Sequence, residues 1–278
     1  MAATESEPIV TAQGESLTVD QAITHLRQTE DSGLRYYAAW WLGRFRAAVP
    51  EAIEALVAAL DDEVDRAPDG GYPLRRNAAR ALGKLGDQQV VPALIQCLSC
   101  SDYYVREAAA QALGVLGDPR AVPVLKRLLA GGVAAAVMVP GKPHLVQPYN
   151  AVLEALGSLG AKVAVEEIAP FLEHDVPQVQ NAAARAMYQL TGDSSYGERL
   201  VQRLQEPNLQ LRRSAMMDLG AIGYQPAARP IAITPAENSL KLIALQGILE
   251  THLQNSGFPA TGLSSAACEV LALMDDLL

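Results

Sequence analysis

The segment RYYAAWWLGRFR at residues 35–46 concentrates aromatic and cationic side chains. Aromatic residues are 5% of the chain, yet Tyr36, Tyr37, Trp40, Trp41 and Phe45 all fall within this segment. Residues spaced i, i+4, i+8 share one face of a helix, and here that spacing holds Tyr36, Trp40 and Arg44. The next copy of the same motif holds three cations there: Arg76, Arg80 and Lys84. Aromatic faces stack on flat conjugated groups and cations pair with carboxylates, so the pattern predicts a surface for a flat anionic ligand.

A second aromatic pair, Tyr37 and Trp41, has i, i+4 spacing on an adjacent face. Trp41 occupies the position that is alanine in the next four copies of the motif. A ring with no room at a closely packed seam is expected to point into a gap, a partner or a ligand. Alternatively, the first copy is a cap whose tyrosines and tryptophans close the end of the core. The two interpretations are compatible.

These side chains must be positioned by a repeated element. A pair of small residues followed by Leu-Gly and another aliphatic residue recurs, in strong or weaker form, at 35–45, 75–85, 106–116, 149–159, 180–190, 212–222 and 241–249. Counted between the central aliphatic residues of the copies, from Leu42 in the first to Ile248 in the last, the basal spacing is about 31 residues, and an apolar helical segment precedes most copies. Helical hairpins of this length bury their faces by stacking on their neighbours. We predict an all-α fold without a sheet: an α-solenoid of HEAT-like (armadillo-type) helical hairpin repeats, curved into a right-handed superhelix.

The repeats suggest boundaries within the chain. We predict a flexible leader over 1–16, the solenoid over 17–260 and a C-terminal helix over 261–278 that caps the array or docks on a partner. Two intervals carry inserts, at 61–74 and 130–148, each between the first and second helix of a pair. Both inserts should therefore project from the same rim, where they cover a ligand, contact a partner or are tolerated disordered insertions.

An arginine opens four of the copies, at Arg35, Arg75, Arg106 and Arg212. An acidic residue lies four positions earlier in two of them, Asp31 and Asp102. We interpret these as structural ion pairs that tie the turn between two helices to the next repeat. Tyr103 and Tyr104 lie in the same turn as Asp102, where their rings either face the concave groove lined by the second helices of the solenoid or are half-buried in the turn.

Composition excludes several classes of protein. The chain has 22 Lys and Arg against 31 Asp and Glu, a formal net charge of −9, so we expect no nucleic-acid binding. No stretch approaches the roughly 18 apolar residues that span a bilayer, and the first residues lack a secretory signal. We therefore expect a cytoplasmic protein without membrane insertion. Three cysteines and four scattered histidines suggest no disulfide framework and no metal site, and nucleotide and hydrolase motifs are missing.

The repeat string VREAAAQALGVLGD at 105–118 resembles the HEAT-like repeats of phycobilisome lyases. Together with its place in the first repeat, RYYAAWWLGRFR resembles the E-type (alpha) subunits of the heterodimeric phycocyanobilin lyases in that family. The resemblance implies a partner, a smaller F-type HEAT-repeat subunit. It also implies that the pair binds the linear tetrapyrrole phycocyanobilin and attaches it by a thioether bond to a cysteine of the phycocyanin alpha subunit. Phycocyanobilin is then a substrate, and no cofactor is expected.

Under this resemblance the aromatic and cationic residues become bilin-binding candidates: Tyr36, Tyr37, Trp40, Trp41, Arg44, Tyr72, Arg76, Arg80 and Tyr104. A carboxyl group near the pyrrole nitrogens would hold the proton that activates the tetrapyrrole, and Glu154 and Asp69 are the candidate catalytic acids. Two other functions stay open. One is a non-catalytic HEAT-repeat scaffold or chaperone-like protein-binding module, and the other is a subunit of a phycoerythrocyanin-type lyase-isomerase.

Overall fold

The structure, a computed structural model, describes residues 17–256 and 263–278. Regular structure in these ranges is helical, apart from one antiparallel bridge between Met138 and Leu145. The predicted all-α fold of HEAT-like helical hairpins is confirmed, while its right-handed curvature stays a prediction. The leader predicted at 1–16 lies outside the described residues.

The chain divides into two compact units. Among the described residues, the first unit comprises 17–125 together with 138–148. Its helices are α1 (Val19–Arg27), α2 (Ser32–Arg44), α3 (Pro50–Ala59), α4 (Pro73–Leu85), α5 (Val91–Cys97), α6 (Tyr103–Leu116) and the start of α7 (Val122–Leu128). They pair as α1 with α2, α3 with α4 and α5 with α6, and the second helix of each pair is the repeated motif. We call these second helices the B helices.

The second unit comprises 126–137, 149–256 and 263–278 of the described residues. After the end of α7 its helices are α8 (Gly132–Ala135), α9 (Tyr149–Ser158), α10 (Val165–Ile168), α11 (Pro177–Thr191), α12 (Ser194–Arg203), α13 (Leu209–Ala221), α14 (Ala228–Ile233), α15 (Asn238–Ser256) and α16 (Ser265–Asp275). The B helices of this unit are α9, α11, α13 and α15. Every copy of the motif therefore lies on a B helix, as its spacing predicts.

Small residues bring successive B helices into close contact. A β-carbon built on Gly43 of α2 would lie 2.7 Å from Ala81 Cα of α4. One built on Gly83 of α4 would lie 2.8 Å from Ala112 Cβ of α6. Since real β-carbons do not approach other atoms this closely, glycine is required at both contacts. The close packing expected from the alanine pairs and the trailing glycine is thus observed.

The same contact corrects the register of the last copy. A β-carbon on Gly220 would lie 2.7 Å from Ala244 Cα, so Ala244 is the counterpart of Ala81 and Ala112. The central aliphatic residue of that copy is therefore Leu245, which is fully buried. The sequence pattern suggested Ile248 because both residues are aliphatic and the motif is degenerate there.

The acidic residues before the B helices act as helix caps. Asp31 Oδ1 accepts a hydrogen bond from the Leu34 backbone N–H at 3.0 Å, and Asp102 Oδ1 accepts one from Tyr104 N–H at 2.8 Å. Such caps satisfy N–H groups that lack partners within the helix. The predicted pairing of each acid with the arginine four residues later is therefore wrong, because the cap orients the carboxylate toward the helix start.

The arginines that open the copies bind the turns around them instead. Arg35 forms a buried salt bridge with Asp62 at 2.7 Å and donates to the Leu26 carbonyl at 3.2 Å. Arg75 donates to the Asp62 carbonyl at 2.6 Å, and Arg212 donates to the Glu206 carbonyl at 2.7 Å. Their predicted structural role is confirmed, but their partners are mostly backbone carbonyls.

The C-terminal helix α16 packs on α14 and α15, with Ala267 and Val270 buried. Its role as a cap or as a docking element stays a prediction. Among the helices described here, none combines the length and the apolar character that crossing a membrane requires.

Candidate functional site

One face of α2 presents aromatic rings to solvent. Tyr36 and Trp40 keep 43% and 41% of their surface exposed, and Arg44, one turn further on, is also exposed. Tyr37 stacks on Trp40 with ring centroids 5.5 Å apart and an interplanar angle of 29°. We call Tyr36, Tyr37, Trp40 and Arg44 the aromatic face. Its exposure follows from the i, i+4 spacing, because the alanines on the opposite side of α2 face the core.

Trp41 does not belong to this face. It is 7% exposed and packs on Phe45 with ring centroids 4.9 Å apart. The expectation that its ring points into a gap or a ligand is wrong, and the cap interpretation holds for this residue. Tyr37 also stacks on Trp40 rather than pairing with Trp41, because one further residue rotates the side chain by roughly 100° around the helix.

The neighbouring B helix, α4, adds cations beside the aromatic face. Arg80 and Lys84 are exposed, and Arg76 lies over the Tyr104 ring with its Cζ 4.6 Å from the centroid. Within the described parts of the chain, no salt bridge joins Arg44, Arg80 or Lys84 to a carboxylate. In a chain with a net charge of −9, such cations without a carboxylate partner give this surface a local positive charge that favours an anionic ligand.

The two inserts and the start of α6 line a cavity of about 590 Å³ that is open to solvent on one side, which we call the insert cavity. The first insert contributes residues 69–71 and the second contributes residues from Val139 to Val146. The expectation that both inserts lie on the same side of the repeats is therefore confirmed. Asp69 and Tyr104, two of the predicted site residues, line this cavity together.

Two side chains at the start of α6 hold the inserts in place. Asp102 accepts a hydrogen bond from Tyr72 N–H at 2.7 Å, which fixes the end of the first insert. Arg106 donates to the Val146 carbonyl at 2.9 Å and to Gln147 Oε1 at 3.0 Å, which fixes the second. The inserts are thus ordered parts of the fold rather than tolerated disordered insertions.

Tyr72 belongs to the set of packed residues that hold the first insert in place. It is 9% exposed, and the guanidinium carbons of Arg66 and Arg75 lie 3.9 and 4.0 Å from its ring centroid. Because the ring is covered by these cations, the prediction that Tyr72 contacts a ligand is not supported by its surroundings.

The insert cavity contains aromatic groups that the list of candidates omitted. His144 stacks on Tyr103 with ring centroids 4.1 Å apart and an interplanar angle of 14°, and Tyr104 meets His144 edge-on at 5.9 Å. Burial raises the pKa of Tyr103 to about 12, so its hydroxyl remains a hydrogen-bond donor at neutral pH. The signal for this cluster was present in the sequence as Tyr103-Tyr104 and as the histidine of the second insert. Only the fold shows that they meet.

Glu154 belongs to the second unit, whereas the other candidate acid, Asp69, belongs to the first. Arg185 on α11 pairs with Glu154 at 3.4 Å and with Asp218 of α13 at 3.2 Å. Burial raises the pKa of Asp218. Because Glu154 is engaged in this ion-pair network, which links three B helices, its environment favours a structural role over that of a proton donor.

Cysteine and metal chemistry have little support in this structure. Cys97 is buried, and burial raises the pKa of its thiol to about 12, so a thiolate is scarce at neutral pH. Within residues 17–256 and 263–278, no group of three or more His, Cys, Asp and Glu side chains is arranged to hold a metal ion.

Known families and proteins are similar to this chain in sequence. The family model for HEAT repeats matches residues 64–137, and that for the PBS lyase HEAT-like repeat matches 34–62. A phycocyanobilin lyase subunit alpha from Synechocystis sp. is 63% identical over 262 residues, which are 94% of this chain and 96% of that protein. The bilin biosynthesis protein PecE of Nostoc sp. is 45% identical and covers 90% of this chain and 92% of its own length.

A solved structure also aligns with the whole chain. It is the complex of CpcE and CpcF of phycocyanin lyase from Nostoc sp.. The matching chain is 57% identical, with a TM-score of 0.89, and the alignment covers 99% of this chain and 100% of that one.

Proposed function

Because the chain belongs to the family of phycocyanobilin lyase alpha subunits, we propose that it is one subunit of a lyase that attaches phycocyanobilin to a protein. It acts with an F-type HEAT-repeat subunit, as the solved complex of CpcE with CpcF suggests. The acceptor is a cysteine of the phycocyanin alpha subunit, the bond formed is a thioether, and the tetrapyrrole is a substrate rather than a cofactor. We place this activity in the cytoplasm.

The observation that carries the proposal is the aromatic face beside unpaired cations. Trp40 and Tyr36 offer exposed rings for the conjugated plane of a bilin, and Arg80 and Lys84 offer charge for its two propionates. Packed helices lie about 8–10 Å apart, so the span from α2 across α4 to α6 is about 16–20 Å. An extended tetrapyrrole is of that order of length, so it can lie across the three B helices.

The proposed reaction asks little covalent chemistry of this chain. The acceptor thiol adds across the exocyclic ethylidene double bond of the bilin. Its sulfur bonds to the ethylidene carbon, and the ring carbon at the other end of that double bond gains a proton. No oxidant or leaving group is involved. The residues described here would hold and orient the pigment, which is the main requirement for such an addition. Asp69, at the edge of the insert cavity, is the better placed of the two candidate acids to keep the tetrapyrrole protonated.

Reconstitution tests this function. The chain would be co-expressed with an F-type subunit, a source of phycocyanobilin and the phycocyanin alpha subunit, and covalent pigment measured by zinc-induced fluorescence of the denatured acceptor. We expect attachment with the wild-type chain and a marked loss with an Arg80→Gln, Lys84→Gln variant. The matched control, Arg127→Gln with Lys162→Gln, removes two other exposed charges and should retain attachment. Absence of covalent pigment with the wild-type chain would refute the proposal.

Two alternatives make different predictions. Exposed apolar residues on B helices of the second unit, Met217 and Ile243, favour a protein-binding scaffold. A scaffold would bind its partner without binding bilin. A lyase-isomerase subunit would deliver an isomerised pigment, which the absorption spectrum of the acid-denatured product distinguishes. The 63% identity to a phycocyanobilin lyase subunit alpha favours the lyase among these three functions.

A further inference from the structure

The insert cavity is a preformed pocket rather than a gap between mobile loops. Its far wall is a tight turn in which Lys142 N–H donates to the Val139 carbonyl at 3.0 Å, with Gly141 at a φ of 72°. The Val139 N–H donates in turn to the His144 carbonyl at 3.0 Å, which closes a small hairpin. Together with the hydrogen bonds of Asp102 and Arg106, these contacts fix both inserts before any ligand arrives.

The groups facing this pocket are not fully engaged with each other. His144 Nδ1 lies 2.9 Å from the Leu145 carbonyl, which can only accept, so Nδ1 carries the proton. Nε2 of the neutral ring is then an acceptor, and no hydrogen bond to it is present in the described part of the chain. The Tyr103 hydroxyl and the Lys142 ammonium are donors, and the Asp69 carboxylate is a second acceptor. The pocket therefore offers a flat aromatic wall with acceptors and donors around it.

We propose that the insert cavity binds a terminal lactam ring of the linear tetrapyrrole, which extends the bilin-binding function proposed above and rests on it. A terminal ring of a bilin is flat and carries one N–H donor beside one carbonyl acceptor. His144 Nε2 or Asp69 accepts from the ring N–H, Lys142 or Tyr103 donates to its carbonyl, and the stacked pair Tyr103 and His144 supports its plane.

The size and position of the cavity agree with this ligand. A volume of about 590 Å³ lies within the range of about 300–1,000 Å³ typical of small-molecule pockets. Tyr104 lines the cavity and also lies under Arg76 of α4, the helix that carries Arg80 and Lys84, so this ring connects a wall of the pocket to the cationic helix. One pigment can thus place its central propionates on α4 and one end ring in the cavity.

The test compares two ligands on the complex of this chain with its F-type subunit. Phycocyanobilin and its dimethyl ester share the same rings, but the ester lacks the propionate charges. Each ligand is titrated and followed by visible absorbance. His144→Phe keeps a ring to stack on Tyr103 and removes the nitrogen acceptor, so it should weaken both ligands about five- to tenfold. Arg80→Gln with Lys84→Gln should weaken the free acid much more than the ester.

A second variant, Asp69→Asn, tests the same pocket if His144→Phe does not fold. Asp69→Asn changes an exposed side chain, retains the oxygen that accepts from Gly71 N–H and should also weaken both ligands. If folded His144→Phe and Asp69→Asn complexes bind both ligands like the wild type, the lactam pocket is refuted, while the loss in the cation variant would still support the proposed function. If the wild-type complex binds neither ligand, both proposals fail.

Discussion

The adjacent tryptophans Trp40 and Trp41 allow ligand binding and folding to be separated by matched substitutions. Trp40 is 41% exposed on the aromatic face, whereas Trp41 is 7% exposed and packs in the core. If a bilin covers the exposed part of Trp40, about 100 Å² of apolar surface leaves water, which is worth up to about 2.5 kcal/mol. Ordering of the side chain and incomplete coverage reduce this to about 1–2 kcal/mol. Trp40→Ala should therefore raise the Kd for bilin about 5- to 30-fold.

The same substitution at Trp41 should have the opposite profile. Removing a buried tryptophan leaves a cavity and costs about 3–5 kcal/mol of folding free energy. Trp40→Ala should cost less, about 1–2 kcal/mol, because it removes the ring contacts of Trp40 with Tyr37 and Phe45 but leaves no buried cavity. Trp41→Phe keeps most of the packing and serves as the folded variant if Trp41→Ala does not fold.

Urea unfolding followed by circular dichroism, combined with absorbance titration of the complex with its F-type subunit, measures both quantities. Trp40→Phe retains an aromatic face and should recover much of the binding that Trp40→Ala loses. The reasoning is refuted if Trp40→Ala binds bilin like the wild type, or if the folded Trp41→Phe variant loses binding as strongly as Trp40→Ala.

Three further predictions concern the framework. Arg35→Met should lower the free energy of unfolding, measured in urea, by about 3–5 kcal/mol because it leaves the Asp62 carboxylate buried without its partner. The double variant Arg35→Met, Asp62→Asn should lose less than the sum of the losses of the two single variants. Additive losses would contradict the buried ion pair. Arg106→Lys replaces a guanidinium with several donors by a single ammonium, so the second insert should be held less firmly and proteinase K should cleave it faster. Mass spectrometry of the fragments measures this rate. An unchanged rate of cleavage would argue against the role of Arg106 in holding the insert. At pH 8 iodoacetamide should label exposed Cys268 and spare Cys97, because at a pKa of about 12 roughly one Cys97 thiol in 10,000 is a thiolate. Labelling of Cys97 should increase as the pH rises. Rapid labelling of Cys97 at pH 8 would contradict its burial.

The sequence contains enough information for the helices and for the exposed face of α2. Both depend on local periodicity: the recurrent motif defines the B helices, and i, i+4 spacing places Tyr36 and Trp40 on one side. The orientation of Trp41 is different, because burial depends on the space left by other helices. Alanine at the equivalent positions indicated a tight seam but not that the first copy has room for an indole.

The insert cavity could not be predicted from local sequence patterns, because it too depends on how distant parts of the chain pack. Its shape depends on hydrogen bonds between distant residues, such as Asp102 to Tyr72 and Arg106 to Val146, which are 30 and 40 positions apart. Sequence spacing places both inserts on one rim, but it does not specify that a histidine of one insert stacks on a tyrosine at the start of α6. The register of the last copy likewise became clear only from the contact between Gly220 and Ala244.

The glycine contacts between B helices have a consequence for what the first unit can accept. Gly43 against Ala81 and Gly83 against Ala112 set the separation of α2, α4 and α6 near the minimum that two helices allow. An added methyl group at either glycine must move the helices apart, and the aromatic rings on α2 would then stand further from the pocket at α6. For the bilin site proposed above, these small residues therefore set the distance between the rings on α2 and the pocket at the start of α6.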